Sequence, residues 1–356
     1  MIHIFKEILD KQGYYLLAEI GVNYYDIAKN LDIDLMEAAK LMCREAKKAG
    51  IDAVKFQTYK AGSLASKNSP AYWDRTEEPT GSQYELFKKF DSFGEKEYKE
   101  LYHYCKQIDI TFSSTPFDFE SADYLDPFMD FYKISSSDIT NHPFIIHMAK
   151  KGKPILLSTG ASNREEIERA VRIIRQYNQE ELVLLHCVLE YPTVHEHATL
   201  NRIVSLKQEY PAYIIGYSDH TKPDFDYEIL KTAYNLGAQV IEKHFTLDKT
   251  LKGNDHYHAM DAKDAGKIKE GLDYINIIRG DYGLSFLETE RKARECARRS
   301  IVTTRLIDKG SIITADDLTF KRPGNGIGPE HINELVGKTA LKDIPEDYII
   351  DWKDII

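Results

Sequence analysis

Two short stretches, SDH at residues 218 to 220 and EKHF at 242 to 245, each close an apolar run with a histidine. If those runs are neighbouring strands, His220 and His244 meet at one rim. Two neutral imidazoles with water and substrate oxygens suit Mn2+, Mg2+ or a similar ion that keeps open coordination positions. The competing reading is a pair of hydrogen-bonded structural histidines. Lys55, Lys133, Ser114, Thr115, Ser136 and Ser158 close other apolar runs, with Gln57 just after Lys55. Ammonium and hydroxyl donors together suit phosphate and carboxylate oxygens, although Ser and Thr also end strands by bonding turn backbones. The acids Glu19, Asp138, Glu242 and Asp255 are candidates for orienting hydroxyls or moving protons. Glu19 and Glu242 stand out because apolar strand residues flank them. Asp255, His256 and His258 follow in a loop, where exposure to solvent is the expectation.

Positioning these groups requires a framework that gathers strand ends. Eight apolar or β-branched runs recur: YLLAEIG (15 to 21), DAVKFQT (52 to 58), ITFSSTP (110 to 116), FYKISSS (131 to 137), PILLSTG (154 to 160), LVLLHC (182 to 187), YIIGYSDH (213 to 220) and QVIEKHF (239 to 245). Helical patterns lie between them, as in residues 34 to 50, and Ser162 with Glu165 reads as a capping box. No Gly-rich dinucleotide fingerprint follows the first strand, so the βα repeats predict a closed (β/α)8 TIM barrel rather than an open doubly wound sheet. In such a barrel the strand ends converge on one face. After residue 285 the pattern changes. A barrel domain over 1–285, a linker over 286–296 and a small domain of short strands and turns over 297–356 are expected, the last too small to be robust alone.

The 356-residue chain carries a net charge of −10. Residues 291 to 356 hold 12 Lys and Arg against 11 Asp and Glu, leaving 35 against 46 elsewhere. An acidic body of this kind argues against broad nucleic-acid binding. No apolar run approaches the length of a membrane span and the N-terminus is interrupted by charges. Cys43, Cys105, Cys187 and Cys296 form no CxxC pair, which favours a reducing, cytoplasmic setting. KRPGNGIGP (321 to 329) reads first as a turn.

Taken in order, AEIGVN (18 to 23), VKFQT (54 to 58), SSTPF (113 to 117), YKISS (132 to 136), LSTG (157 to 160), LLHC (184 to 187), YPT (191 to 193), GYSDH (216 to 220), EKHFTLD (242 to 248) and KRPGNG (321 to 326) resemble the sialic acid synthase family over nearly the whole chain. These enzymes condense phosphoenolpyruvate with an N-acyl amino sugar, and their barrel precedes an antifreeze-like (SAF) domain. The resemblance implies that His220 and His244 hold a divalent metal, Mn2+ before Mg2+ or Co2+. It implies phosphoenolpyruvate contacts at Lys55, Thr115, Lys133, Ser136, Ser158 and Ser218. Glu19, Gln57, Asp138, Glu242 and Asp255 fall around the sugar and the reacting atoms, with Glu19 or Glu242 as the proton-handling residue. Arg322 matches an arginine that enters the partner's barrel, which implies a domain-swapped homodimer.

Departures cluster on the sugar side. Tyr24, Tyr25 and Asp26 replace the usual His-Asn-Gly, Val188, Leu189 and Glu190 follow LLHC, and Gly253-Asn254-Asp255 replaces Gly-Pro-Asp ahead of HYHAMD. N-acetylmannosamine is the first acceptor implied, a 2,4-diacetamido-2,4,6-trideoxy sugar of the legionaminic type the second. A phosphorylated-sugar synthase and a non-catalytic carbohydrate-binding relative are the rival readings. His256 and His258 stay unexplained by the resemblance.

Overall fold

The computed structural model describes residues 3–73, 75–253, 255–280 and 282–356. The chain divides into two compact units at Gly280 and Asp281.

The first unit holds eight parallel strands: β1 (Tyr15–Gly21), β2 (Ala53–Thr58), β3 (Thr111–Pro116), β4 (Tyr132–Ile134), β5 (Ile155–Ser158), β6 (Leu182–Cys187), β7 (Ile214–Asp219) and β8 (Val240–His244). Their hydrogen-bonded order is β3-β2-β1-β8-β7-β6-β5-β4, and β3 and β4 at its ends lie side by side, so the sheet curls into a barrel. Side chains alternate between the two faces of a strand. Leu16, Ala18, Val54 and Phe56 face outward into the main core, against the surrounding helices. The other parity forms an inner cluster of Tyr15, Leu17, Ala53, Phe131, Leu156, Val183, Leu185 and Val240. The helix α1 (Ile4–Gln12) contributes Phe5 to this inner cluster, its ring 5.1 Å from that of Tyr15 and 5.0 Å from that of Phe131. Interior space is full at this level: a Cβ on Gly216 would collide with Leu185 and the Val240 carbonyl. Continuing the same parity upward gives Glu19, Lys55, Lys133, Ser158, Cys187, Ser218, Glu242 and His244. The polar site is thus the next rungs of the ladder whose lower rungs are apolar.

Local departures from the expected elements have clear causes. β4 stops at Ile134 rather than running to 137, because the Ser135 side chain accepts from the Ser137 backbone N–H and turns the chain into a 3-10 helix, Ser136–Asp138. The capping box of the helix Arg164–Tyr177 pairs Asn163 with Glu166, one residue later than Ser162 with Glu165. Ser162 instead donates to the Gly160 carbonyl. The helical pattern at residues 34 to 50 forms the helix Leu35–Lys48, capped by the Asp34 side chain, which accepts from the Met36 N–H.

The second unit contains an antiparallel pair, β9 (Ser300–Thr303) and β10 (Leu318–Lys321), around a core that includes Ile301, Ile313, Leu335, Ile344 and Ile350. Residues 286–296, expected as a linker, include a 3-10 turn at Glu288–Glu290 and most of the helix Arg291–Ala297. The Glu295 carbonyl accepts from Gly324, tying this helix to the KRPGNG turn.

Candidate active site

Parallel register sets which side chains meet. Glu19 is level with Lys55 on β2 and with His244 on β8, while Ser218 on β7 is level with Glu242. A bulge after Glu19 places Gly21 at φ +56°. Glycine suits this left-handed turn, and a Cβ there would lie 3.1 Å from Glu19 Oε1 and 3.2 Å from Gln57 Nε2, so both side chains would have to shift.

The resulting pocket opens among the C-terminal strand ends, where barrel active sites lie. Of the residues expected in the site, it is lined by Glu19, Lys55, Gln57, Thr115, Lys133, Ser136, Ser158, Ser218, His220, Glu242 and His244. Asp255 adjoins it, with Oδ2 3.7 Å from His244 Nδ1. Asp138 stands apart from this lining on the 3-10 turn, half-buried and accepting from Asn141 at 3.2 Å. Arg322 is an exposed residue of the second unit.

The lysine side of the pocket is knit together. Lys55 is paired with Glu19, lies 3.7 Å from Glu242 Oε2 and donates to Thr115 at 3.1 Å. Lys133 is 3.4 Å from Glu242 Oε1, the oxygen that also accepts from Ser218 at 2.7 Å. Gln57 donates to Glu19 at 2.9 Å. The two carboxyls are nevertheless pushed in opposite directions. Burial lifts Glu19 above the ordinary range, helped by the charge on Glu242 and only partly offset by Lys55. Burial also opposes ionisation of Glu242, but Lys133, Lys55 and the Ser218 hydroxyl outweigh it and hold this carboxyl at about 2. Lys55 is raised: burial acts against its charge, and Glu19 and Glu242 win. Two neighbouring carboxyls with separated proton affinities are suited to separate acid and electrostatic roles.

The histidine side is under-bonded. His220 Nδ1 meets the Val188 carbonyl at 2.9 Å and must be the donor there, so in the neutral ring the lone pair is on Nε2. Burial opposes charge on this imidazole, but Cys187 and the Val188 carbonyl outweigh it and raise its pKa. The Cys187 sulfur is 3.7 Å from the same Nδ1, and the Tyr191 ring packs 4.3 Å from the His220 ring. His244 Nδ1 is buried without a hydrogen-bond partner among the described residues. Burial, and then the neighbouring histidines, keep His244 well below its usual pKa and therefore neutral. A neutral imidazole with an unbonded nitrogen, beside a second whose tautomer is fixed by a carbonyl, fits the donor set of a divalent ion.

His256 and His258 are both fully buried, contrary to the exposed loop positions expected for them. The loop folds inward. His256 is 2.8 Å from Thr246 Oγ1 and 3.3 Å from Asp26 Oδ2, so it ties the loop to the helix Tyr24–Leu31. His258 packs beside His244, with ring centroids 4.8 Å apart. Sequence reasoning also passed over Cys187 and Tyr191 as lining residues. Parity along β6 from Val183 and Leu185 points to Cys187. No periodic signal marks Tyr191 or His258, which sit in loops.

Comparison with known proteins agrees with this architecture. The family model described as the NeuB family matches residues 42–282, and the SAF domain model matches residues 298–356. The chain belongs to the NeuB family. An uncharacterized protein of Methanocaldococcus jannaschii is 37% identical over 343 residues, covering 96% of this chain and 94% of its own. The N,N'-diacetyllegionaminic acid synthase of Campylobacter jejuni is 37% identical over 341 residues, covering 94% and 98%. Among solved structures, the N-acetylneuraminic acid (sialic acid) synthetase of Leptospira borgpetersenii, in complex with citrate, superposes with a TM-score of 0.68 at 32% identity, over 79% of this chain and 90% of that one. Among the described residues, no helix of this NeuB-family chain is long and apolar enough to cross a membrane.

Proposed function

We propose that the protein is a synthase that condenses phosphoenolpyruvate with the open-chain aldehyde of an N-acyl amino sugar, giving a nine-carbon 2-keto-3-deoxy acid and phosphate. One observation carries this reading: buried Lys55 and Lys133, with the hydroxyls of Thr115, Ser136, Ser158 and Ser218, share a single pocket with His220 and His244. Its cations and hydroxyls suit the phosphate and carboxylate of phosphoenolpyruvate. Family membership and the synthase names of the relatives support the same class.

The chemistry consumes one water. C3 of the enolpyruvate bonds to the aldehyde carbon, whose oxygen takes up a proton. Water adds to the cationic C2 and gives up a proton, and the tetrahedral adduct then collapses to the ketone as the C–O bond to phosphate breaks. Glu19, kept protonated more readily than an ordinary carboxyl, donates the first proton and its carboxylate accepts the second. Glu242 stays ionised; it holds Lys55 and Lys133 in place and offsets cationic charge as it develops. A divalent ion at His220 and His244, Mn2+ in first place, would polarise the aldehyde oxygen and orient the water.

Two acceptors remain in view. N-acetylmannosamine follows from the motifs. A second reading, 2,4-diacetamido-2,4,6-trideoxymannose, is favoured by the apolar lining from Phe117, Leu189 and Tyr191, which suits a deoxygenated, twice-acetylated sugar. The likeness to the Campylobacter jejuni synthase points the same way. The reading extends to a soluble, cytoplasmic homodimer in which Arg322 of one chain enters the barrel of the other; a solution mass equal to one chain overturns that part. The main test offers each acceptor, and the 6-phosphate of N-acetylmannosamine, with phosphoenolpyruvate and Mn2+, and measures phosphate release. Absence of release with every acceptor rejects the synthase; release that survives chelation rejects the metal.

A further inference from the structure

We propose that His258, together with Asp255, belongs to the same cation site as His220 and His244, making a set of three imidazoles and one carboxylate. The inference rests on the metal-dependent reading above and extends it to His258, which the resemblance leaves unexplained, while turning Asp255, which the resemblance places around the sugar, toward the ion.

His258 is wholly buried, and neither of its ring nitrogens has a hydrogen-bond partner among the described residues. A buried imidazole with both nitrogens unsatisfied is rare in a folded protein and calls for an unseen partner. Its surroundings say what kind. Ligand atoms of His244, Asp255 and His258 all lie within 4.8 Å of one another. His244 Nδ1 is likewise unbonded among the described residues and sits 3.7 Å from Asp255 Oδ2. Two imidazoles on one ion, each nitrogen about 2.1 Å from it, have ring centroids roughly 4.6 to 6.5 Å apart, from a right angle to a straight line. The three observed separations, 4.8 Å for His244 and His258, 5.5 Å for His220 and His244, and 6.3 Å for His220 and His258, all fall in that span. Direct hydrogen bonding does not explain the group, because neutral imidazoles packed ring against ring at these distances leave the nitrogens unpaired.

The contrast with His256 isolates the effect. Two residues earlier in the same loop, that ring has Thr246 on one nitrogen and Asp26 near the other, so its place in the fold is accounted for without a ligand. His258 has no such account. A third imidazole changes selectivity as well as affinity. Nitrogen-rich sets favour Mn2+, Fe2+, Co2+ or Zn2+ over Mg2+, which prefers oxygen and retains water.

The test uses the full chain stripped with chelator. Mn2+ and Mg2+ affinities are measured by calorimetry and by the paramagnetic resonance of free Mn2+, and the Co2+-loaded protein is examined by visible absorption. His258→Gln and the volume-filling His258→Phe are each expected to weaken Mn2+ at least about tenfold. Mg2+ binding should change less, the Co2+ bands should shift, and thermal melts should remain cooperative. Wild-type Mn2+ affinity and an unaltered Co2+ spectrum in either folded variant overturn the proposal. If His220→Ala and His244→Ala lose Mn2+ in that same experiment, the two-histidine site stands without His258. If those two variants also bind normally, the site itself is refuted.

Discussion

The two sides of the pocket solve opposite problems. Around Lys55, Lys133, Glu19 and Glu242 the buried charges are matched within the protein, and each cation is in place before any substrate arrives. Around His244 and His258 three ring nitrogens have no hydrogen-bond partner among the described residues. On the first side every charge has an opposite partner, although Glu242 Oε2 and Ser158 Oγ make no hydrogen bond among the described residues, and the proposed ligand's phosphate and carboxylate would compete with Glu19 and Glu242 for the lysines. On the second side neutral nitrogens are left open, as the proposed divalent ion would require. Losses on the first side should therefore appear as instability and altered pH dependence, and losses on the second as failed metal binding.

The largest effect separates the sides most sharply. His244→Ala should lower kcat/KM for phosphate release by about a thousandfold, the several kcal/mol that a Lewis acid contributes, while the melting temperature changes little. Equal loss of stability would erase the contrast. Glu19→Gln should reduce kcat by about a hundredfold. With Glu19 as the proposed acid, kcat should fall as pH rises through its folded pKa, which lies above the ordinary carboxylate range. The Gln variant should lose that limb in a pH-rate profile.

Lys55→Met tests the first side through folding. It leaves two buried carboxyls short of a cation and should cost about 3 kcal/mol in urea unfolding at neutral pH. Lowering the pH should recover part of the loss as Glu19 protonates. For Glu242 the sign is reversed. Its carboxyl titrates at about 2 in the fold against an ordinary 4.5, so its contribution is complete above 4.5 and disappears as pH falls toward 2. Glu242→Gln should flatten that part of the stability curve. The smallest effect is expected from His256→Asn, about 1 kcal/mol of stability from lost hydrogen bonding, with phosphate release unchanged.

Residue order made one side of the site more readable than the other. Glu19, Lys55, Lys133, Ser158, Ser218 and Glu242 all sit at inward-facing positions near strand ends, and alternation carries them into the pocket once a barrel is assumed. β4 was harder, because the choice of Ser135 as a local acceptor, rather than the apolar pattern, ends it. His258 was unreadable for a deeper reason. A loop has no period, so burial there depends on how the chain after β8 returns to it, where Met260 donates to the His244 carbonyl and Thr246 to that of Met260. The same loop chemistry that makes His256 structural places His258 beside His244, and nothing in HYH distinguishes the two.

Phe5, wedged against Tyr15 and Phe131 beneath the polar rungs, gives the barrel a stoppered base. Reactants, the water they consume and both products must therefore share one doorway, and nothing can leave from below while something larger stands above it. Turnover in such a blind well is a queue. Its rate should fall with added viscogen when exit is slow.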